Sequence, residues 1–158
     1  MLYKKRFTPE QALQKLKHYC AYQERSHAEV KEKLYQYGVF SNDVDNIIAT
    51  LIEENYLNEE RFAKAFVRGK FRMKQWGKVK IMHALKQKQV STYNLKQAML
   101  EIDNDEYAKV LASLAKKKWD SIKGEGVNRF VKMSKTMDYL IQKGFERNLI
   151  QDAMKLLE

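Results

Sequence analysis

The sequence predicts an all-α fold, an elongated tandem array of three three-helix repeats with helix–turn–helix-like units and about nine helices in all. The 158 residues include one proline and six glycines. These are too few turn-forming residues for an all-β chain, which needs a turn roughly every 8–12 residues. Polar residues that suit helix N-caps precede the apolar-periodic segments. An apolar pattern also recurs three times, at intervals of 51 and 55 residues.

Each copy of this pattern contains a leucine, a turn position followed by an apolar residue, and three further apolar residues. The first copy comprises Leu34, Gly38, Val39, Val44, Ile47 and Ile48. The second comprises Leu85, Gln89, Val90, Leu95, Ala98 and Met99. The third comprises Leu140, Gly144, Phe145, Ile150, Ala153 and Met154. Gln89 replaces the turn glycine in the second copy, which leaves that turn open to a different geometry.

The first repeat, residues 1–55, is predicted to hold helices near 8–24, 26–37 and 41–54. Thr8, Pro9 and Gln11 form a capping-box pattern with proline in the first turn. Ser26 and Glu29 form a second capping box. Gly38 stands where the second helix should stop.

The second repeat, residues 56–102, is the basic one, and the third spans residues 103–158. Helices are predicted near 58–75, 77–89 and 91–101, and then near 104–119, 125–143 and 146–157. Asn58 precedes two glutamates, which the helix dipole favours in a first turn. Asp103 and Glu106 supply another capping box, and Gly144 another stop. About 50 residues bury too little apolar surface alone, so neighbouring repeats should pack together.

Charge is segregated along the chain, which carries a formal net charge of +10. Residues 41–60 contain six acidic residues and no basic one, whereas residues 61–100 contain eleven basic residues and no acidic one. A solvated helix usually mixes both signs. Either carboxylates of the first repeat fold back onto the basic block, or a partner supplies the negative charge. The clustering favours a partner, such as the phosphates of a nucleic acid.

Helical periodicity divides the segment after Asn58 into faces. An apolar stripe of Phe62, Phe66, Gly69 and Met73 is predicted to enter the core. The candidate binding residues lie beside it and on the following helix: Arg61, Lys64, Arg68, Lys70, Arg72, Lys74, Lys78 and Lys80. The positions expected to support the structure are Phe62, Phe66, Gly77, Leu85, Gly38 and Gly144.

Besides Phe62 and Phe66, the same block contains the aromatic residues Phe71, Trp76 and Tyr93. Exposed rings in a basic region can stack on nucleic-acid bases. Packing in the core or at an interface between repeats is the favoured role for Trp76, which adjoins the Gly77 turn.

Signatures of catalysis or metal binding are weak, so the sequence predicts neither enzyme activity nor a cofactor. Gly124 and Gly126 form a GxG without the strand and third glycine of a phosphate loop. The three histidines are scattered, and Cys20, the single cysteine, is expected to fill space on a helix. Asp43 and Asp45 point in different directions as first-turn charges. Without an apolar run of roughly 18 residues or a signal-peptide core, the chain is predicted to be cytoplasmic and independent of membranes.

The ordered motifs of nearly the whole chain, from about residue 12 onward, resemble the RecX family of bacterial RecA regulators. They include NYLNEERFA at residues 55–63, GKVKI at residues 77–81 and YLIQKGF at residues 139–145. Two departures stand out: Gln89 replaces a glycine, and Asn58 or Glu59 stands where the family has aspartate.

The resemblance implies a regulator without catalysis of its own, in recombination, DNA repair and the SOS response. The sequence itself shows no coiled coil or large symmetric interface, so the chain is predicted to be a monomer. The resemblance also implies binding in the groove of the RecA–DNA filament, which lowers strand exchange and ATP hydrolysis by RecA. The predicted partners are the RecA filament and single- or double-stranded DNA, contacted directly or within the filament. Two roles are possible for the acidic segment 41–60. It contacts basic protein surface in the RecA filament, or it is solvated or pairs with basic residues of this chain. An alternative is a stand-alone helix-turn-helix DNA-binding protein, although the helix near Gly77 offers mainly lysines, which suit phosphates better than base edges.

Overall fold

The computed structural model describes residues 6–157, which form nine α-helices and no strand. The helices are α1 (Pro9–Tyr22), α2 (His27–Gln36), α3 (Asn42–Glu53), α4 (Glu59–Lys74), α5 (Lys78–Gln87), α6 (Thr92–Met99), α7 (Asn104–Ser121), α8 (Arg129–Lys143) and α9 (Arg147–Met154). The all-α prediction and the number of helices are confirmed. The largest shift is at α8, which begins four residues later than predicted. No helix among these residues is long and apolar enough to cross a bilayer.

The predicted N-caps form because each polar side chain accepts a hydrogen bond from a backbone N–H of the first turn. At Thr8 the box is complete, since Gln11 also reaches back to the Thr8 N–H at 3.0 Å. Ser26 and Asp103 accept from the backbone three residues on. Asn58 Oδ1 accepts from the Arg61 N–H at 2.8 Å. These four helix starts are confirmed.

Compact packing divides the chain into two units. The first comprises residues up to Phe66 together with Leu85–Ala98, and the second comprises Val67–Ala84 together with the residues from Met99 onward. Helices α4 and α5 therefore each contribute residues to both units. The three sequence repeats with boundaries at 55 and 102 stay a prediction.

The first unit has an apolar core in which α1, α2 and α3 pack on one another. Its fully buried members include Leu16, Leu34 and Leu51, which are 0% exposed. In the second unit α7, α8 and α9 pack on one another around residues such as Leu140 and Ile150. Burial of this apolar surface is the main stabilising term in each unit.

The buried positions of α4 differ in part from the predicted apolar stripe. Phe62, Ala63, Val67 and Phe71 are buried. Phe66 is half-buried and packs on Phe62. Met73 is 83% exposed, so its assignment to the core was wrong. Met73 lies on the same side of the helix as Phe62, but at the end of α4 the side chain is left uncovered.

The turn at Gln89 keeps the geometry of the glycine turns. Gln89 adopts a left-handed φ of 62°, and Gly38 and Gly144 have φ values of 79° and 96°. The Val90 N–H donates to the Leu85 carbonyl at 3.1 Å, as Val39 does to Leu34 and Phe145 to Leu140. The hydrogen bonds of the repeat therefore enforce a conformation that costs a non-glycine residue roughly 1 kcal/mol.

Gln89→Gly is expected to raise the free energy of unfolding by about 0.5–1 kcal/mol, because glycine removes the left-handed strain at a small cost in unfolded-state entropy. Urea titration followed by circular dichroism measures the change. Gln87→Gly is the matched control, since Gln87 ends helix α5 and glycine there should destabilise. Equal effects of the two substitutions would contradict the assignment of strain to Gln89.

Candidate functional site

The start of α4 is fixed by carboxylates that act within the protein. Glu59 accepts hydrogen bonds from the Ser91 N–H at 2.8 Å and from Asn94 Nδ2 at 2.9 Å. Burial opposes ionisation of Glu59, but these hydrogen bonds outweigh it and lower the pKa of the carboxyl. Glu60 pairs with Lys64 at 2.8 Å. Part of the acidic segment therefore has an intramolecular role.

Arg61, a predicted binding residue, has its guanidinium occupied inside the first unit. Its Nε donates to Glu24 Oε1 at 2.6 Å. Its two terminal nitrogens donate to the side chain and the carbonyl of Asn55, each at 3.0 Å. These hydrogen bonds join the end of α1 to the loop after α3, so Arg61 has a structural role, and its role in binding stays a prediction.

Arg61→Lys is expected to lower the free energy of unfolding by about 1–2 kcal/mol, because an ammonium cannot reproduce the fork and Glu24 stays partly buried. The other oxygen of Glu24 already has no hydrogen-bond partner among residues 6–157. Thermal unfolding measures the effect, with Arg72→Lys as the control because Arg72 is exposed. A stable Arg61→Lys protein would show that the fork contributes little.

Other basic side chains also meet carboxylates. Arg68 pairs with Glu101 at 3.3 Å, and Lys88 pairs with Glu29 at 3.2 Å. The sequence interpretation that a partner supplies the opposing charge is therefore incomplete, since internal carboxylates meet part of the basic block. These ion pairs are partly exposed and each contributes less than about 1 kcal/mol, so they can exchange for an external anion.

A local concentration of positive charge surrounds Trp76 in the second unit. Lys70 Nζ lies 4.8 Å and Lys80 Nζ 4.4 Å from the centre of a Trp76 ring. Lys143 Nζ donates to the Lys74 carbonyl at 2.7 Å. Partial burial, followed by the charges of Lys80 and Lys74, lowers the pKa of Lys143. We call Lys70, Lys74, Lys80 and Lys143 the Trp76 lysine cluster.

A close approach of two glycines assembles this cluster. The Gly77 N–H donates to the Lys143 carbonyl at 2.7 Å, and the Val79 N–H donates to the Gly144 carbonyl at 2.9 Å. A Cβ on Gly77 would lie 2.3 Å from the Gly144 carbonyl carbon. The start of α5 can therefore rest on the end of α8 only because both residues lack a side chain.

Lys143 was missed by the sequence prediction because it lies outside the carboxylate-free block. Its contact with Lys74 joins residues 69 positions apart. The sequence signal that pointed to Lys143 was its position directly before Gly144, the turn glycine in the third copy of the repeat.

Lys78 points toward α7. Its Nζ donates to Asn104 Oδ1 at 3.1 Å and lies 4.6 Å from the centre of the Tyr107 ring. The backbone N–H of Lys78 donates to the Tyr107 hydroxyl at 2.9 Å, and that hydroxyl donates to Glu146. Burial and then the bond to Glu146 raise the pKa of Tyr107, which keeps the hydroxyl a donor. Lys78 thus helps to fix α5.

The three aromatic candidates have different surroundings. Phe71 is 3% exposed and packs on Tyr107, so stacking on a base is excluded for it. Trp76 is half-buried between lysines, and Tyr93 is 69% exposed. Trp76 is therefore neither a core residue nor a fully exposed ring on which a base could stack.

A metal-binding cluster is not found within residues 6–157. No group of three or more His, Cys, Asp or Glu side chains there could hold a metal ion. Cys20 is buried in the first core, and this burial raises the pKa of its thiol to about 11. The thiol is therefore protonated near neutral pH and fills space, as the sequence predicts.

Comparison with protein families finds two domain models that match this chain. Residues 58–99 match the second three-helix domain of RecX, and residues 105–154 match the third three-helix domain of RecX. The chain belongs to the RecX family. The resemblance inferred from the sequence motifs is thereby confirmed.

RecX relatives match along most of the chain. The regulatory protein RecX of Herminiimonas arsenicoxydans is 27% identical over 140 residues, which cover 89% of this chain and 88% of that protein. The regulatory protein RecX of Clostridium perfringens (strain 13 / Type A) is 26% identical over 133 residues, which cover 84% of this chain but 62% of that longer protein. These matches support a RecX regulatory role for the chain.

The crystal structure of RecX from Lactobacillus salivarius has the same fold. It superposes with a TM-score of 0.82 at 21% identity, covering 94% of this chain and 96% of that chain. At this identity the similarity establishes the fold.

Proposed function

We propose that this RecX-family chain binds the filament that RecA forms on DNA and lowers strand exchange and ATP hydrolysis there. It would act as a cytoplasmic monomer without catalytic activity, in recombination, DNA repair and the SOS response. The observation that carries the proposal is the Trp76 lysine cluster. Lys74, Lys80 and Lys143 form no ion pair within residues 6–157, and their mutual repulsion favours an external anion.

A nucleoprotein filament presents phosphates beside acidic protein side chains, and both are attracted to such a cluster. Arg68 and Arg72 extend the basic surface on α4, since Arg72 is exposed without an ion pair in the described chain and Arg68 has one partly exposed pair. Of the eight residues predicted for binding, we retain Lys64, Arg68, Lys70, Arg72, Lys74 and Lys80 in this role. Arg61 and Lys78 are assigned to structural support.

The test is titration of the protein into RecA preassembled on single-stranded DNA, while ATP hydrolysis and filament length are recorded. We expect both to fall as the protein is added. Unchanged hydrolysis, together with tight and sequence-dependent binding to bare duplex DNA, would instead support a stand-alone helix-turn-helix protein.

A further inference from the structure

A second set of lysine–aromatic pairs joins α7 and α8 in the second unit. Lys132 Nζ lies 4.8 Å from the centre of a Trp119 ring, and Lys118 Nζ lies 5.2 Å from the centre of the Tyr139 ring. All four side chains are half-buried, so each ring is covered in part while the ammonium groups reach solvent. The carboxylate-free block does not include these residues.

The two sets lie on one line along α8. At 100° per residue, Lys132, Tyr139 and Lys143 fall within about 40° of one another on the helix surface. Lys132 and Lys143 are separated by eleven positions, or about 16 Å along the axis at 1.5 Å per residue. Lys143 belongs to the Trp76 lysine cluster, so α8 connects that cluster to the pairs at Trp119 and Tyr139.

This line is free of acidic residues on α8. The one carboxylate of the helix, Asp138, lies about 120° from Lys132 around the axis. Lys118, Lys132 and Lys143 form no ion pair with any carboxylate between residues 6 and 157. We call Lys118, Trp119, Lys132, Tyr139 and Lys143 the α8 track.

We propose that the α8 track binds the backbone of single-stranded DNA directly, with its ammonium groups contacting phosphates along the strand. Lysines interleaved with aromatic rings along a groove or ridge are the pattern of single-strand binding sites, in which phosphate contacts supply affinity and rings contact bases. An acidic protein surface would also attract the lysines, but it gives no reason for an aromatic ring beside Lys118 and another beside Lys132. The inference deepens the proposed function, on which it rests, by naming DNA as the partner of this face.

The experiment uses the full chain and a fluorescein-labelled thymidine oligonucleotide of about 20 nucleotides, without RecA. Anisotropy titrations are made at several salt concentrations for the unmodified protein and for Lys118→Gln/Lys132→Gln. We expect the double variant to bind about 10-fold more weakly. The slope of log affinity against log salt concentration should be shallower by about 1.4 for the double variant. Each lost phosphate contact reduces the magnitude of this slope by about 0.7 on single-stranded DNA.

The control is Lys109→Gln/Lys155→Gln, which removes the same charge. Lys109 lies on the face of α7 opposite Lys118, and both control lysines are exposed. We expect less than a 2-fold loss from this pair. Thermal unfolding of both double variants verifies that they fold, and quenching of tryptophan fluorescence by the oligonucleotide, reduced in Trp119→Phe, reports contact at that ring.

Equal losses from the two double variants would overturn the proposal, because net charge alone would then explain binding. Unchanged DNA binding with weakened binding to the RecA filament would overturn it too, and would assign the track to a protein partner. If Lys118→Gln/Lys132→Gln binds DNA normally while the unmodified protein still lowers hydrolysis by RecA, the track fails and the proposed function stands. If hydrolysis is unaffected but the variant loses DNA binding, the track stands and the proposed function fails.

Discussion

Gly77→Ala is expected to lower the free energy of unfolding by about 3 kcal/mol, because its Cβ would lie 2.3 Å from backbone atoms of Gly144 and Phe145. Backbone cannot move aside as a flexible side chain can. The start of α5 must therefore leave the end of α8, and the two hydrogen bonds between them, at 2.7 and 2.9 Å, are lost. Urea titration followed by circular dichroism measures the change.

Gly144→Ala should be at least as severe, since its Cβ would lie 2.2 Å from Lys80 Cβ and the residue has a left-handed φ of 96°. Gly69→Ala is the matched control: Gly69 lies inside α4, and a Cβ there meets nothing within 4 Å. Alanine at position 69 should stabilise by about 0.5–1 kcal/mol through helix propensity. Comparable stability of all three variants would show that the close approach of Gly77 and Gly144 does not exist.

Replacement of all four lysines of the Trp76 lysine cluster by glutamine is expected to weaken binding to the RecA filament about 100-fold at low salt. The slope of log affinity against log salt concentration should become shallower by up to about 0.7–0.9 for each lysine that contacts a phosphate. Stability should be kept or slightly raised, because the substitutions remove an ammonium group whose partial burial, and then whose repulsion by Lys80 and Lys74, lower the pKa of Lys143. Filament binding is measured by co-sedimentation over a range of salt concentrations.

A quadruple variant at Lys31, Lys109, Lys116 and Lys155 removes the same charge from exposed positions elsewhere. It should reduce filament binding far less than the cluster variant. Similar losses would mean that total charge governs the interaction and that the surroundings of Trp76 have no special part in it.

The helices and their caps could be predicted because their signals are local. Thr8 and Gln11, or Asp103 and Glu106, lie within one turn of each other, so the sequence alone brings them into contact. The turn at Gln89 is a partial exception. Its residue type argued against a glycine-like turn, but the apolar neighbours Leu85 and Val90 enforce that turn through their hydrogen bond.

The composition of the candidate site could be predicted only in part, because it depends on contacts between distant residues. Arg61 looked like a surface cation until Glu24, 37 residues earlier, was found against it. Lys143 lies in another helix from the rest of its cluster and joins them through the fold. Met73 was assigned to the core because periodicity gives the direction of a side chain but not whether another element covers it.

The division of the second unit between two distant stretches of chain bears on how the protein is made. The ribosome releases the N-terminal residues first, so all segments of the first unit are available once residue 98 has emerged. The second unit must wait for Gly144, 67 residues after Gly77, before α5 can be anchored. During that interval the most basic segment of the nascent chain has not reached its final packing. A chaperone or a nucleic acid then has more access to this segment than in the folded protein.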